Sequence, residues 1–187
     1  MSSLYLGIDT ATRYLALALW SPEGGTLASF CETVERDHTR RILSELEGLF
    51  ATANAEKRAL QGIGVGLGPG SYTGLRVGHA TAQGLARGLG ISFGGLSSLE
   101  ATAANVLAEG ETGIVALDAR RGNVYAGLYE KISGTVNVVE EGKKVARDAL
   151  RAAHPDLPYF EDEAPDASYL ARCCFEGRAA SKNLIYL

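Results

Sequence analysis

The amino-acid sequence predicts a mixed α/β fold in two lobes. Three observations lead there. The first 34 residues hold three short β-prone runs separated by polar or Pro/Gly turns. From His38 the apolar residues change to the spacing of one helix face. The order of elements that reaches residue 110 then begins again in shorter form. At 187 residues the chain is long enough for one large domain or two small lobes. The expected boundary divides an N-terminal lobe, 1–110, from a shortened C-terminal lobe, 111–187.

LYLGID (4–9) is a strand that ends in the polar turn TATR. RYLALALW (13–20) is a second strand, closed by SPEGG, and TLASFCETV (26–34) a third. Ile42, Leu46, Leu49, Phe50 and Ala53 form one face of a helix over 38–53, with Asp37 as its N-cap. GIGVGLG (62–68) alternates glycine with Ile63, Val65 and Leu67. Its bare face requires something to lie close against it. A helix starting near Thr73 and the short strand ISFGGL follow. In SSLEATAANVLAEG, Ser97 and Glu100 have capping-box spacing and Gly110 is a natural stop. The first lobe therefore reads β-β-β-α-β-α-β-α. In the second, GIVALDA, NVYAGLYEK and TVNVVEEG are strands in series, VARDALRAAH a short helix, PYFEDEA a strand, and DASYLARCCFEGRAA a helix. The repeat is one of order, without residue-by-residue identity. No flexible linker or low-complexity stretch interrupts it.

Net charge is −4, which argues against autonomous nucleic-acid binding but not against a place in a complex that holds RNA. Cys31, Cys173 and Cys174 are odd in number, and no CxxC spacing exists, so neither a disulfide framework nor structural zinc is expected. MSSLYLGIDT has no positive leader, and YLALALW is too short to span a bilayer. A cytoplasmic protein without a membrane anchor is the expectation.

GLGPGSYTGLRVGHATAQGLARGLG (66–90) has the look of a phosphate loop feeding a helix. A P-loop needs a Gly-Lys-Ser/Thr end, and a dinucleotide fingerprint needs G-x-G-x-x-G with a later acidic residue. Both are missing here. The helix is nonetheless rich in glycine, and each interior glycine costs about 1 kcal/mol relative to alanine. Gly74, Gly78 and Ala82 form one stripe, and Ala80, Gly84 and Gly88 another. Small residues four apart let a second backbone come close. One stripe can serve the chain's own sheet; the second points to a neighbour from outside, or to the helix at 38–53. Internal packing of both is the plainer alternative. Ser71 and Thr73 read as helix caps, and Cys173 and Cys174 as core.

LGIDTATRYLALAL, DHTRRIL (37–43), GLGPGSYTGLRVG (66–78), AQGLARGL (82–89) and LDARRGNVYAGLYE (117–130) together resemble the bacterial TsaB (YeaZ) family. That family lies within the actin/sugar-kinase/Hsp70-like superfamily. The resemblance is strong over residues 4–130 and weak beyond about 145. It implies a two-lobed actin-like (ribonuclease H-like) fold. It also implies a role in making N6-threonylcarbamoyladenosine at adenosine 37 of tRNA, as the non-catalytic scaffold of the transferase TsaD. The implied partners are TsaD, in a heterodimer, and the ATPase TsaE, with tRNA held through TsaD and a homodimer when the chain is alone.

No catalytic residue is expected. TsaD-like catalysts hold a metal through H-x-x-x-H, and the matching positions here are Ser98 and Thr102, poor metal ligands. His38, His79 and His154 are too far apart in sequence to replace them. No cofactor is expected, although a nucleotide at an interface shared with TsaD and TsaE stays open. Its weak candidates are Asp9, Thr10 and Thr12, in a hairpin with threonine where the superfamily has its close-approach glycine. The residues expected at the partner interface are His38, Arg41, Ile42, Tyr72, Gly74, Leu75, Arg76, Gly78, His79 and Ala82. As chemistry, His38 reads as an exposed first-turn residue. Arg120 and Arg121 are candidates for an anion or partner contact. Two rival readings are a small ATP-dependent phosphotransferase and a glycoprotease-like metallopeptidase. Family members run longer than this chain, which ends in SKNLIYL, so the second lobe reads as shortened, either naturally reduced or lacking a terminal helix.

Overall fold

The computed structural model describes residues 3–34 and 37–186. Met1 and Ser2 of MSSLYLGIDT, Glu35, Arg36, and Leu187 of SKNLIYL lie outside the described residues. Two sheets are formed. β1 (Leu4–Asp9), β2 (Tyr14–Ser21), β3 (Gly25–Thr33), β4 (Leu60–Gly66) and β5 (Ser92–Leu96) make the first, in the order β3-β2-β1-β4-β5. β1 pairs antiparallel with β2 and parallel with β4. β6 (Thr112–Asp118), β7 (Asn123–Ile132), β8 (Thr135–Ala146) and β9 (Tyr159–Glu161) make the second, in the order β8-β7-β6-β9. This is the first arrangement without its fifth strand. The predicted α/β fold, with a shortened second copy, is the one observed.

The helices are α1 (His38–Thr52), α2 (Tyr72–Leu89), α3 (Ser98–Val106), α4 (Arg147–Ala153) and α5 (Ala167–Phe175). α1 and α2 lie on one face of the first sheet. There Leu4, Leu6, Ile8, Leu15, Leu17, Leu19, Ile63 and Val65 meet Ile42, Leu46, Leu49, Phe50, Ala82 and Ala86. On the opposite face of the same strands, Gly7, Ala16, Ala18 and Gly64 are small, and α5 lies on them, with Tyr5 and Trp20 against its Phe175. A Cβ on Gly7 would collide with the Ala167 carbonyl, and one on Gly64 with that of Leu170. Ala16 and Ala18 pack with Ala167. The glycine alternation of β4 is thus explained: Gly64 lies under the α5 backbone, Gly62 under the Cys174 and Tyr5 side chains, and Gly66 against Asp9 and Ser98.

The helices are exchanged between the two halves of the chain. α3 packs on β6, β7 and β8, whereas α5, late in sequence, packs on β1, β2 and β4. Both sit between the sheets, around Leu99, Ala103, Val115, Leu117, Tyr129, Leu170 and Cys173. α4 packs on β8, and Leu150 lies against Ile114, Ala116, Val124 and Ala126.

Several local expectations change. Asp37 precedes α1 but makes no side-chain cap bond. Ser71 does cap α2, accepting from Gly74 N at 3.2 Å. Ser97 caps α3 through Leu99 N, but Glu100 closes no capping box. Its carboxylate turns inward to Tyr169 and Arg178. α3 stops at Val106, short of Gly110, because Leu107 is extended and buried. β8 runs on to Ala146, since Val145 still pairs with Val124. That delays α4 to Arg147. Cys173 is buried, while Cys174 is half-buried against Gly62.

Candidate functional site

Two hollows meet at the N-terminal end of α2. The larger is a cleft of about 870 Å³. One wall comes from the β1–β2 turn, with Ala11, Thr12 and Arg13, and from the α2 entry, with Ser71, Tyr72 and Thr73. The other comes from the matching turn of the second sheet, with Asp118, Ala119, Arg120, Tyr125 and Asp162. The smaller is an apolar groove of about 530 Å³ between α1 and α2, lined by Ile42, Leu43, Arg76, Val77 and Ala80 among others. Thr39, Tyr72, Thr73 and Val77 line both.

Each weak nucleotide candidate has a distinct place. Thr12 lines the cleft, and its hydroxyl accepts from Tyr14 N. Thr10 is 1% exposed and donates to the Gly74 carbonyl at 2.7 Å, tying β1 to α2. Asp9 is fully buried beneath the cleft. Its Oδ1 accepts from Ala11 N at 2.8 Å, and Oδ2 has no hydrogen-bond partner. Burial raises the Asp9 pKa, partly offset by the Ala11 N–H, the Ser98 hydroxyl and the nearby His38.

That shift has a sign. A carboxyl whose folded pKa is raised supports folding fully below its unfolded value and less as pH rises through the folded one. Asp9→Asn keeps an acceptor for Ala11 N and removes the charge. The expected outcome is that wild-type stability falls from pH 5 to pH 8 relative to Asp9→Asn. The variant is then the more stable at pH 8, because it no longer buries a charge. Urea unfolding at both pH values measures it.

The second-sheet turn is bound into its own lobe. Asp118 Oδ1 accepts from Arg120 N and from Arg147, which also pairs with Glu161 at 2.6 Å. Tyr159 donates to Glu161, and mainly burial, together with that carboxylate, lifts its phenol to about 12. Arg120 and Arg121 both stand at positive φ, 63° and 55°, just before Gly122. That conformation is costly for residues with a Cβ. Arg120 lines the cleft; Arg121 is exposed.

The ten residues expected at an interface separate into two groups. Gly74, Leu75, Gly78 and Ala82 are buried by the chain itself. Any Cβ on Gly74 would strike the Thr10 carbonyl, and one on Gly78 the Thr10 hydroxyl. The stripe read as a docking face for a foreign backbone is filled by β1 and the turn after it. Gly78→Leu, otherwise an obvious probe of docking, is a folding variant here. Ile42 is core as well, at 2% exposure. His38 is also buried, not exposed, and its Nε2 lies 2.9 Å from the Tyr14 carbonyl.

Arg41 pairs with Glu32 and Glu45, and Arg76 lies over the Tyr72 ring. His79 approaches the Lys182 carbonyl at 3.0 Å and packs edge-on to Phe93. Tyr72, 56% exposed, packs against the Tyr186 ring and under Arg76, and both Tyr72 and Arg76 line the groove. The second small stripe is different: Ala80, Gly84 and Gly88 are exposed, and nothing lies near a Cβ at either glycine. Sequence reading passed over Leu43, which is 62% exposed and lines the groove. Its signal was an apolar residue off the 42/46/49/50 face of α1.

Ser98 and Thr102 are fully buried in α3, with hydroxyls engaged locally. Ser98 Oγ accepts from Gly68 N, and Thr102 donates to the Ser98 carbonyl. Among the described residues no cluster of three or more His, Cys, Asp or Glu has metal-binding geometry, and no helix is long and apolar enough to cross a membrane.

Residues 20–178 match the model of the family described as TsaD, tRNA N6-adenosine threonylcarbamoyltransferase. The chain belongs to the TsaD family. Several of the similar curated proteins are named TsaB. TsaB of Escherichia coli K12, a tRNA threonylcarbamoyladenosine biosynthesis protein, is 35% identical over 147 residues, 78% of this chain and 63% of that one. TsaB of Bacillus subtilis is 35% identical over 142 residues, 75% of this chain and 61% of that one. The TsaD-family chain thus spans about three fifths of the length of these relatives. The solved structure of YeaZ from Pseudomonas aeruginosa superposes with a TM-score of 0.83 at 24% identity, covering 99% of this chain and 100% of that one. A second Pseudomonas aeruginosa structure, of a protein similar to peptidase YeaZ, gives 0.86 over 99% of both chains. At that identity the likeness establishes the fold.

Proposed function

We propose that this chain is a non-catalytic accessory subunit in threonylcarbamoyladenosine synthesis on tRNA, acting as scaffold and activator of a TsaD-type transferase. The observation that carries the reading is the apolar groove between α1 and α2, with Leu43 and Tyr72 held out to solvent beside Arg76. Exposed aliphatic and aromatic side chains around one groove mark a protein-binding surface. Names of the TsaB relatives place them in the same pathway. Ser98 and Thr102, committed to internal hydrogen bonds, support assigning the chemistry to the partner. TsaE is the second partner, tRNA is reached through TsaD, and a copy of the chain takes the groove when TsaD is absent. A nucleotide at the shared interface would meet Thr12 and Arg13 in the cleft, with Asp9 and Thr10 acting from beneath.

Leu43→Glu tests the proposal. Leu43 is largely exposed, so folding stability should change by no more than about 0.5 kcal/mol. A charge in the groove lining should weaken binding to the same organism's TsaD at least about tenfold, measured by size exclusion and titration. A complex of unchanged affinity would refute the groove as the docking face.

A further inference from the structure

We infer that residues 179–186 form a detachable strap that occupies a strand-accepting slot on the outer edge of β5. The slot is built for a backbone. A Cβ on Gly94 would collide with the Ala179 carbonyl, and one on Gly68 would stand 2.8 Å from that of Ile185. Gly95 N donates to Ser181 O at 2.8 Å, an antiparallel bridge on the strand edge. Ile185 N donates to Leu67 O at 2.7 Å, and Leu184 and Ile185 pack on the first-sheet core. The occupant therefore touches the β5 edge through one bridge, with small residues over Gly94, and then crosses to the end of β4, where an aliphatic pair packs, a minimal form of strand addition to a sheet edge.

Anchoring is unequal along the segment. Arg178, just before the strap, bonds to Glu100, to the Tyr169 hydroxyl and to the Val136 carbonyl. Beyond it, Ser181, Lys182, Asn183 and Tyr186 are exposed. Two backbone bonds, at Ser181 and Ile185, join it to the sheet, with His79 on the Lys182 carbonyl and Lys182 over Phe93 at its exposed surface, and a segment so thinly held opens locally while its anchor stays closed. Its far end clasps the site: the Tyr186 ring packs 5.7 Å from that of Tyr72, which lines both cleft and groove. Opening of the strap frees Tyr72 and bares the β5 edge.

Amide hydrogen exchange on the isolated full chain tests this independently of any partner. The Gly95 and Ile185 amides should exchange at least about 100-fold faster than those of Ile63 and Val65 in β4. Tyr186→Ala should accelerate the first pair about tenfold further and leave the second pair unchanged. A chain lacking residues 181–187 should stay folded and bind a synthetic peptide of residues 181–186 saturably. Equal protection of the two pairs, no response to Tyr186→Ala, or unfolding on truncation would each overturn the strap as a detachable unit.

Discussion

Gly78→Leu is expected to destabilise the chain by at least about 3 kcal/mol, the upper range for forcing side-chain volume into a packed interior. The position is closed by the Thr10 hydroxyl and the Ile8 side chain, and Thr10 is itself held by the Gly74 carbonyl. The neighbours that must give way are short, buried side chains of a central strand and its turn, and moving the Thr10 hydroxyl breaks its bond to the Gly74 carbonyl. Gly84→Ala, six residues along the same helix, should do the reverse. Nothing lies near a Cβ there, so alanine should add about 0.5–1 kcal/mol through helix propensity alone. Urea midpoints of the two variants, compared with wild type, distinguish the stripe that packs internally from the one that does not. Similar effects at the two positions would contradict the packing described.

Arg178→Ala is the second large effect, about 2–4 kcal/mol. Removing one partner of a fully buried pair costs about 3–5 kcal/mol because the other charge is left without compensation. Arg178 is one-third exposed and Glu100 nearly buried, which lowers the figure. Burial already raises the Glu100 pKa, against the opposing pull of the Tyr169 hydroxyl and Arg178. Without the guanidinium the carboxyl is raised further. The loss should then be greatest at pH 8 and smaller near pH 5, where Glu100 can take up a proton. Glu100→Gln in the Arg178→Ala background should recover part of the stability. Equal losses at both pH values would show that Arg178 contributes by packing alone.

How much of this was legible in the sequence depends on the range of the interaction. Strand and helix positions follow from local period and turn chemistry, and β1 matches its predicted range. The bare face of β4 announced a close neighbour, but nothing local says that the neighbour is α5, some hundred residues later. The stripe at Gly74, Gly78 and Ala82 announced a close backbone in the same way. Small residues specify an approach distance and carry no address, so a strand of the same chain and a foreign helix give the same pattern. Leu43 was missed because one apolar residue on a polar helix face is weak evidence in itself. Glu100 was misplaced because capping-box spacing is satisfied by many sequences, whereas its partners lie 69 and 78 positions away.

The exchange of helices between the two halves also constrains how the protein is made. All five strands of the first sheet have left the ribosome once Leu96 is out, yet the glycine-lined face has no roof until Ala167–Phe175 emerges. At about 5–20 residues per second that interval lasts several seconds. During it the nascent chain presents that face, bare at Gly7 and Gly64 and aromatic at Tyr5 and Trp20, to whatever else is in reach, and a stall before Ala167 would leave it uncovered.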